Sequence, residues 1–549
     1  MNKTKNFFLL ITTFTFIVTI ILTSYFSRNC FFYADDHGWG TYSNDEGILD
    51  CLYKTAFDRH GGGYIALFLT KFFCSGLPLI LGIHPSDFIG CPQGIFKGIC
   101  LAITFFLIAK HSRIFYKSNF LFVTLFLFCT LYFFGGLIET KVGYILFNNQ
   151  FYRYPFTLLF ISIFLYNLYK NILAKQKKIR IKNILLSSFA AVVISTNVEI
   201  TVYSIALFII LLILYNTTLS LTTKLCPNKS FLNNQKFNLN LNFYIPSIIY
   251  FITLKFYTFS DSFKELTAER GLNNITFNIQ DLKEFLCTFR DLYIIDNISI
   301  WVLLILFAIS SFIIAYKKKE TKKIILPFFF DISYIIVTLS LFLCGRTFYI
   351  PNEFWIIYPN IFFYFYLLML FSLVIYTTYT IRYFILEKKY NSKIVLISFA
   401  ILLTLISTEK IKLLSNFDTI KNAEFTSYTP EEMHIHKKTT YMLEKMLRFY
   451  YLKNETPILP INDNFLCRNG WNNYLYAIYK YDPSRFRDFE TKENAMDLFY
   501  EKGGSFTKYE LEHIRFQRLK NNDFVLNQQA DRNKFNALFN NITIPIYKG

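Results

Sequence analysis

Long apolar runs separated by short polar stretches fill the first 408 residues of the chain. The first covers 7–26, behind Lys3 and Lys5. Others follow at 94–109, 119–136, 154–169, 184–215, 243–258, 298–316, 324–343, 355–378 and 394–408. A helix rises about 1.5 Å per residue, so roughly 20 apolar residues cross a hydrocarbon core about 30 Å thick. The run over 184–215 is too long for a single crossing. A hairpin turning at Thr196, Asn197, Val198 and Glu199 divides it, which brings the expected count to eleven spans.

Two regions depart from this rhythm. In 27–93, Ser43 to Glu46 have capping-box spacing. Ile48, Leu49, Leu52, Tyr53, Ala56 and Phe57 then recur at helical period, up to Gly61, Gly62 and Gly63. The apolar stretch 64–82 carries Lys71 in its middle and is broken by Pro78, so it reads as a helix lying in or dipping into the membrane interface. From about 407 the apolar periodicity stops. Thr429, Pro430, Glu431 and Glu432 mark a helix start, a second helix is expected after Asp482-Pro483, and Gly503-Gly504 is a break. The fold class is therefore an all-α polytopic membrane domain over 1–408, followed by a mainly helical soluble tail over 409–549.

Composition agrees. The chain has 549 residues, 53% hydrophobic and 20% aromatic, with net charge +19 and mean hydropathy +0.32. The positive charge sits in short clusters between apolar runs, which argues for positive-inside sorting and against a nucleic-acid partner. Lys170, Lys175, Lys177, Lys178, Arg180 and Lys182 follow one another without an acid, as do Lys317, Lys318 and Lys319. These loops read as cytoplasmic. The acid-rich loops 27–93 and 259–297 then face outward, with the N-terminus inside and the C-terminus outside. The ten cysteines form no CxxC pair. Cys30, Cys51, Cys74 and Cys91 lie in the outward first loop, where a Cys30–Cys51 bridge and free thiols are both open readings. No Gly-rich phosphate loop, HExxH or GxSxG is present.

The candidate chemistry centres on residues 31–40, FFYADDHGWG, just past the first span. Adjacent carboxylates such as Asp35 and Asp36 repel each other unless a cation or metal sits nearby. The plainer alternative is a helix cap. Whether the pair holds a divalent cation is left open. Arg59, Lys141, Arg153 and Arg346 lie in outward loops, where each could instead be a snorkelling interfacial residue. Glu199 sits in the turn of the apolar hairpin, an expensive place for an acid without a purpose. Asp331, about two turns into its span, is equally unusual and receives no role. His434 and His436 are two apart, off the shared face that helical metal ligands need.

This layout resembles the GT-C glycosyltransferase superfamily. It is similar in particular to bacterial GT-C-like envelope proteins with an Ala-Asp-Asp motif after the first span, and in general plan to phage O-antigen glucosyltransferases and aminoarabinose transferases. The likeness covers roughly 1–408. It is carried by Tyr33, Ala34, Asp35 and Asp36 and by the position of Arg59. Where many relatives read Gly-Arg, this chain reads Asp58-Arg59-His60-Gly61. The resemblance implies a polyprenyl-phosphate-linked sugar donor, an envelope glycan or glycolipid acceptor, and inverting transfer on the outer face of a bacterial inner membrane. Asp36 is then the general base, with Asp35 held by a cation such as Arg59. Arg59, Lys141, Arg153, Glu199 and Arg346 are the residues expected around the donor and its leaving phosphate. Two other classes compete: a flippase of lipid-linked glycans, and a non-catalytic envelope assembly protein.

Overall fold

In the computed structural model the described residues are 2–27, 64–82, 90–139, 151–152, 154–173, 179–197, 199–225, 235–258, 298–343, 354–416, 445–450, 452–455 and 495–505, with 88, 283, 287 and 290. Among them there is no strand. Helices occupy each apolar run: α1 (Asn2–Ser27), then α2 (Tyr64–Lys71) and α3 (Leu77–Ile80), joined by a π-helical turn, Phe72–Gly76. Next come α4 (Cys91–Lys110), α5 (Ser112–Phe115), α6 (Asn119–Glu139), α7 (Pro155–Ile172), α8 (Ile181–Ser195) and α9 (Glu199–Leu225). The series continues with α10 (Leu241–Thr258), α11 (Ile298–Lys317), α12 (Lys322–Leu343), α13 (Phe354–Leu386), α14 (Ser392–Ile406), α15 (Thr408–Ser415) and, in the tail, α16 (Ala495–Glu501).

Seven of these are long and apolar enough to cross a membrane: α1, α4 continued through α5, α6, α9, α11, α12 and the second part of α13. The α14–α15 pair, bent by 60° at Ser407, is an eighth if counted as one span. The chain is an all-α multi-pass membrane protein. Helix α7 stands at an expected span but is walled in by other helices on nearly every side. Helix α8 and the apolar part of α10 stand at expected spans too and are shorter.

Helices α1 and α11 leave rows of large apolar side chains outward, Phe7, Leu10, Phe14, Ile17 and Ile21 on one and Val302, Leu306, Ile309 and Ile313 on the other. Such faces suit a lipid surround, in which every backbone group must be satisfied within the helix. The threonines of α1 obey the same demand: Thr12, Thr15, Thr19 and Thr23 each donate to the carbonyl four residues back, at 2.7–2.9 Å. Thr19 also meets Thr130 of α6 at 3.4 Å.

Side-chain pairs fix the helix directions. Phe8 meets Phe120 and Phe26 stacks on Phe134, so α1 and α6 run parallel. Gly94 lies against Ser24 and Gly98 against Ile20, so α4 runs antiparallel to α1. Pro155 opens α7 in the first turn, where a missing N–H costs nothing. The break in 184–215 falls at Thr196 and Asn197, where Asn197 donates its amide to Thr157 and Ser195 meets Thr253 of α10 at 2.5 Å. Helix α8 runs parallel to α10, since Arg180 N–H also bonds Asn242 at 3.0 Å. Helices α11 and α13 are parallel too, through Ser311–Thr380 (2.9 Å) and Lys318–Glu387 (2.7 Å).

The stretch expected as a helix over 64–82 is helical without a break from Tyr64 to Ile80, with a π turn at Phe72–Gly76 inside it. At the π turn the Leu77 N–H reaches the Phe72 carbonyl, five residues back. Pro78, directly after it, has no N–H to restore the ordinary ladder.

Candidate functional site

The helix directions gather one set of helix ends at the end of the bundle where α1 stops. Gly94 and Gln93 of α4 lie there beside Ser27 and Tyr152. The last turn of α6 is there through Phe134. Thr157 of α7 and Asn197 bring the start of α9 to the same end, and Thr201–Tyr334 (3.0 Å) and Tyr250–Val202 draw in the later turns of α12 and α10.

Except for Arg59, which lies far past Ser27 and shortly before Tyr64, each residue expected at the site stands in sequence near one of these ends. Asp35, Asp36 and Arg59 follow α1, Lys141 and Arg153 lie between α6 and α7, and Arg346 follows α12. All six lie outside the described residues. Glu199 is the first residue of α9, and its side chain is not described. The Cys30–Cys51 pair and the helix starts at Thr429 and after Pro483 also lie outside them. Cys100, Cys129 and Cys287 are free thiols. The structure thus places the flanking helix ends together without describing the acidic pair itself.

What is described at this end is aromatic and cationic. Phe73 of the π turn stacks on Phe96 (4.3 Å between centroids) and on Tyr152 (5.3 Å). The Gln93 amide donates to the Tyr152 hydroxyl at 3.1 Å. Lys97, one turn on from Gln93, is fully enclosed, with its ammonium 5.7 Å from the centre of the Phe151 ring. Lys410 of α15 is enclosed as well, 5.4 Å from the Tyr132 ring, with its side chain lying over Gly135. Ammonium groups held against aromatic faces away from water keep their attraction to anions. Two such lysines stand at this end of the bundle. Neither was singled out from the sequence. The readable signal was a lone lysine inside an apolar run at 97, and at 410 one just past the last run.

The opposite end is basic at its surface. Lys110 and Lys170 stand 5.0 and 5.9 Å from the Tyr166 ring centre, and Arg113 lies 4.2 Å from that of Phe122. Glu320, between α11 and α12, bridges Lys323 (2.5 Å) and Arg382 (3.7 Å) and accepts from Tyr379 at 3.1 Å. Partial burial alone would push the Glu320 carboxyl up. The Lys323 hydrogen bond, the Lys323 and Arg382 charges and the Tyr379 hydroxyl outweigh it and hold it below the ordinary glutamate range.

Among the described residues no three His, Cys, Asp or Glu side chains stand close enough together to hold a metal ion. No family model, curated protein or solved structure matches this chain.

Proposed function

We propose that this protein is a membrane glycosyltransferase of GT-C type, moving a sugar from a polyprenyl-phosphate donor to an envelope glycan or glycolipid with inversion. The observation that carries the reading is the gathering of helix ends: the segments bearing Asp35 and Asp36, Lys141 and Arg153, Glu199, and Arg346 all adjoin one end of the bundle. Transfer from a lipid phosphate needs a carboxylate to take the acceptor's proton and cations to receive the departing phosphate. Both kinds of group belong to segments that start or stop at that end, beside the enclosed Lys97 and Lys410. The other end carries Lys110, Arg113, Lys170 and Lys318, which favours placing it in the cytoplasm of a bacterial inner membrane. The reaction end then faces outward, with eleven spans and the tail outside. Mass analysis of envelope glycans and glycolipids from cells with and without the protein tests this reading. A sugar unit missing without the protein, and restored by the wild type but not by Asp36→Asn, supports it; an unchanged glycan profile overturns it.

One observation favours a transporter of lipid-linked glycans instead: Asp331, an acid well inside α12. Movement of a labelled lipid-linked glycan across vesicles, with no transfer product, would decide for it.

A further inference from the structure

Asp331 stands nine residues into α12, about 13 Å along the helix from Lys322. The Ser372 hydroxyl donates to one of its oxygens at 2.5 Å and the Tyr376 hydroxyl to the other at 3.4 Å, both from α13. Among the described residues no Lys, Arg or His forms an ion pair with it. From α7, the Tyr169 ring packs on Phe371, next to Ser372, at 5.8 Å between centroids, and Phe371 packs on Phe330, next to Asp331, at 5.5 Å. The Tyr169 hydroxyl is wholly enclosed and has no hydrogen-bond partner.

The other titratable groups around the acid are accounted for. Tyr334, one turn further along α12, meets Thr201 at 3.0 Å. Tyr215 of α9 packs on Phe329 rather than on the acid. His111, at the end of α4, lies behind Phe371, 4.7 Å from its ring and 5.7 Å from that of Tyr169. The His111 Nδ1 is joined to the Leu107 carbonyl at 2.8 Å, and its enclosed Nε2 has no partner.

A bare carboxylate inside an apolar bundle is costly unless a cation compensates it. Two hydroxyl donors do not supply a charge. A neutral carboxyl has no charge to compensate but brings an O–H that needs an acceptor, and the orphaned Tyr169 oxygen is one. A sodium ion would want several more oxygens, which membrane sites usually draw from unwound backbone. Here α7, α12 and α13 are helical at Tyr169, Asp331 and Ser372, so the carbonyls beside the acid are engaged within the helices; the carbonyl that Pro327 leaves without a donor is that of Lys323, two turns away.

We propose that Asp331, with Ser372, Tyr376 and Tyr169, forms a proton-binding site inside the membrane bundle. The empty site holds the ion, with Ser372 and Tyr376 of α13 as its donors. The occupied site holds an O–H on the carboxyl, for which the unpartnered Tyr169 oxygen of α7 becomes the acceptor after a local shift. Proton binding thereby changes which hydrogen bonds Asp331 makes, independently of any sugar transfer.

Infrared difference spectroscopy of the full-length protein in lipid nanodiscs tests this. The wild type at neutral pH is expected to show a protonated-carboxyl C=O stretch that is lost in Asp331→Asn. Ser372→Ala and Tyr169→Phe should move the midpoint of that band in opposite senses, each by roughly one pH unit, since Ser372 donates to the ion and Tyr169 accepts from the acid. These two milder variants decide the matter if Asp331→Asn does not fold. A wild-type spectrum without a carboxyl band at neutral pH overturns the proposal, as does a band unmoved by both milder variants. A band that appears only when sodium is replaced by choline also overturns it, in favour of a sodium site.

Discussion

A Cβ placed on Gly98 would stand 2.7 Å from the Ile20 Cα, so α1 and α4 meet there backbone to backbone. One turn earlier on the same face, a Cβ on Gly94 would stand 2.6 Å from the Ser24 Cα. This is the small-residue spacing by which helices in lipid gain contact without a hydrophobic driving force. Gly98→Val must wedge the pair apart, and overpacking of this kind costs about 1–3 kcal/mol. The purified variant should therefore melt at a lower temperature than wild type, whereas Leu9→Ala, on the outward face of α1, should not. Equal melting of Gly98→Val and wild type would remove the close approach from the sources of stability.

Glu320 joins the α11–α12 turn to the end of α13 through Lys323, Arg382 and Tyr379. Its carboxyl is held below the ordinary glutamate value, which is about 4.3. A lowered folded value means the contribution is complete above the unfolded value and is lost as the pH falls through the folded one. Between about pH 5 and about pH 2 the wild type should thus lose more thermal stability than Glu320→Gln. Parallel stability curves for the two over that range would show that the bridge does not hold the turn.

Helices at the apolar runs were legible because runs bounded by lysines leave few alternatives, and simple length arithmetic put the α8–α9 turn at Thr196–Asn197; of the eleven spans expected, seven, or eight with the α14–α15 pair, are long and apolar enough among the described residues. Other features were hidden for physical reasons. Helix α13 continues to Leu386, past the expected end at 378, because its polar run is satisfied from within. Thr377 donates to the Leu373 carbonyl and Thr378 to that of Val374, each at 2.6 Å. Helix α15 looked like the start of the tail because it is charged, yet it packs on α6 with Lys410 over Gly135. The approach of α1 to α4 was present as Gly94 and Gly98 four residues apart, but spacing alone does not name the partner helix. The Asp35–Asp36 pair follows α1 in a stretch without apolar periodicity, so only adjacency and position marked it.

Membrane orientation is open to direct measurement. Cysteines introduced at Gly40 and at the exposed Leu452 should react with a membrane-impermeant thiol reagent in intact spheroplasts, while one at Gln176 should not. The contrast rests on the basic clusters around Lys110, Lys170 and Lys318, which the positive-inside rule assigns to the cytoplasmic side in the proposed orientation. Labelling at 176 from outside would invert the bundle and move the proposed reaction to the wrong face.

The sharpest expectation concerns Asp35 and Asp36. Successive side chains point in different directions, so in the proposed reaction the two carboxylates take different tasks. We assign proton removal from the acceptor hydroxyl to Asp36 and the holding of a cation to Asp35. Asp36→Asn keeps the size of the side chain and removes its proton affinity. It should lower sugar transfer by about 100-fold or more, the usual worth of a positioned base, while expression and membrane insertion stay unchanged. Arg153→Ala and Arg346→Ala should each lower turnover by a comparable factor, because the departing phosphate loses a bidentate partner. Transfer measured on a lipid-linked sugar separates these cases from misfolding, provided each variant melts with the wild type. Full activity in both Asp35→Asn and Asp36→Asn would reduce the pair to a helix cap and end the assignment.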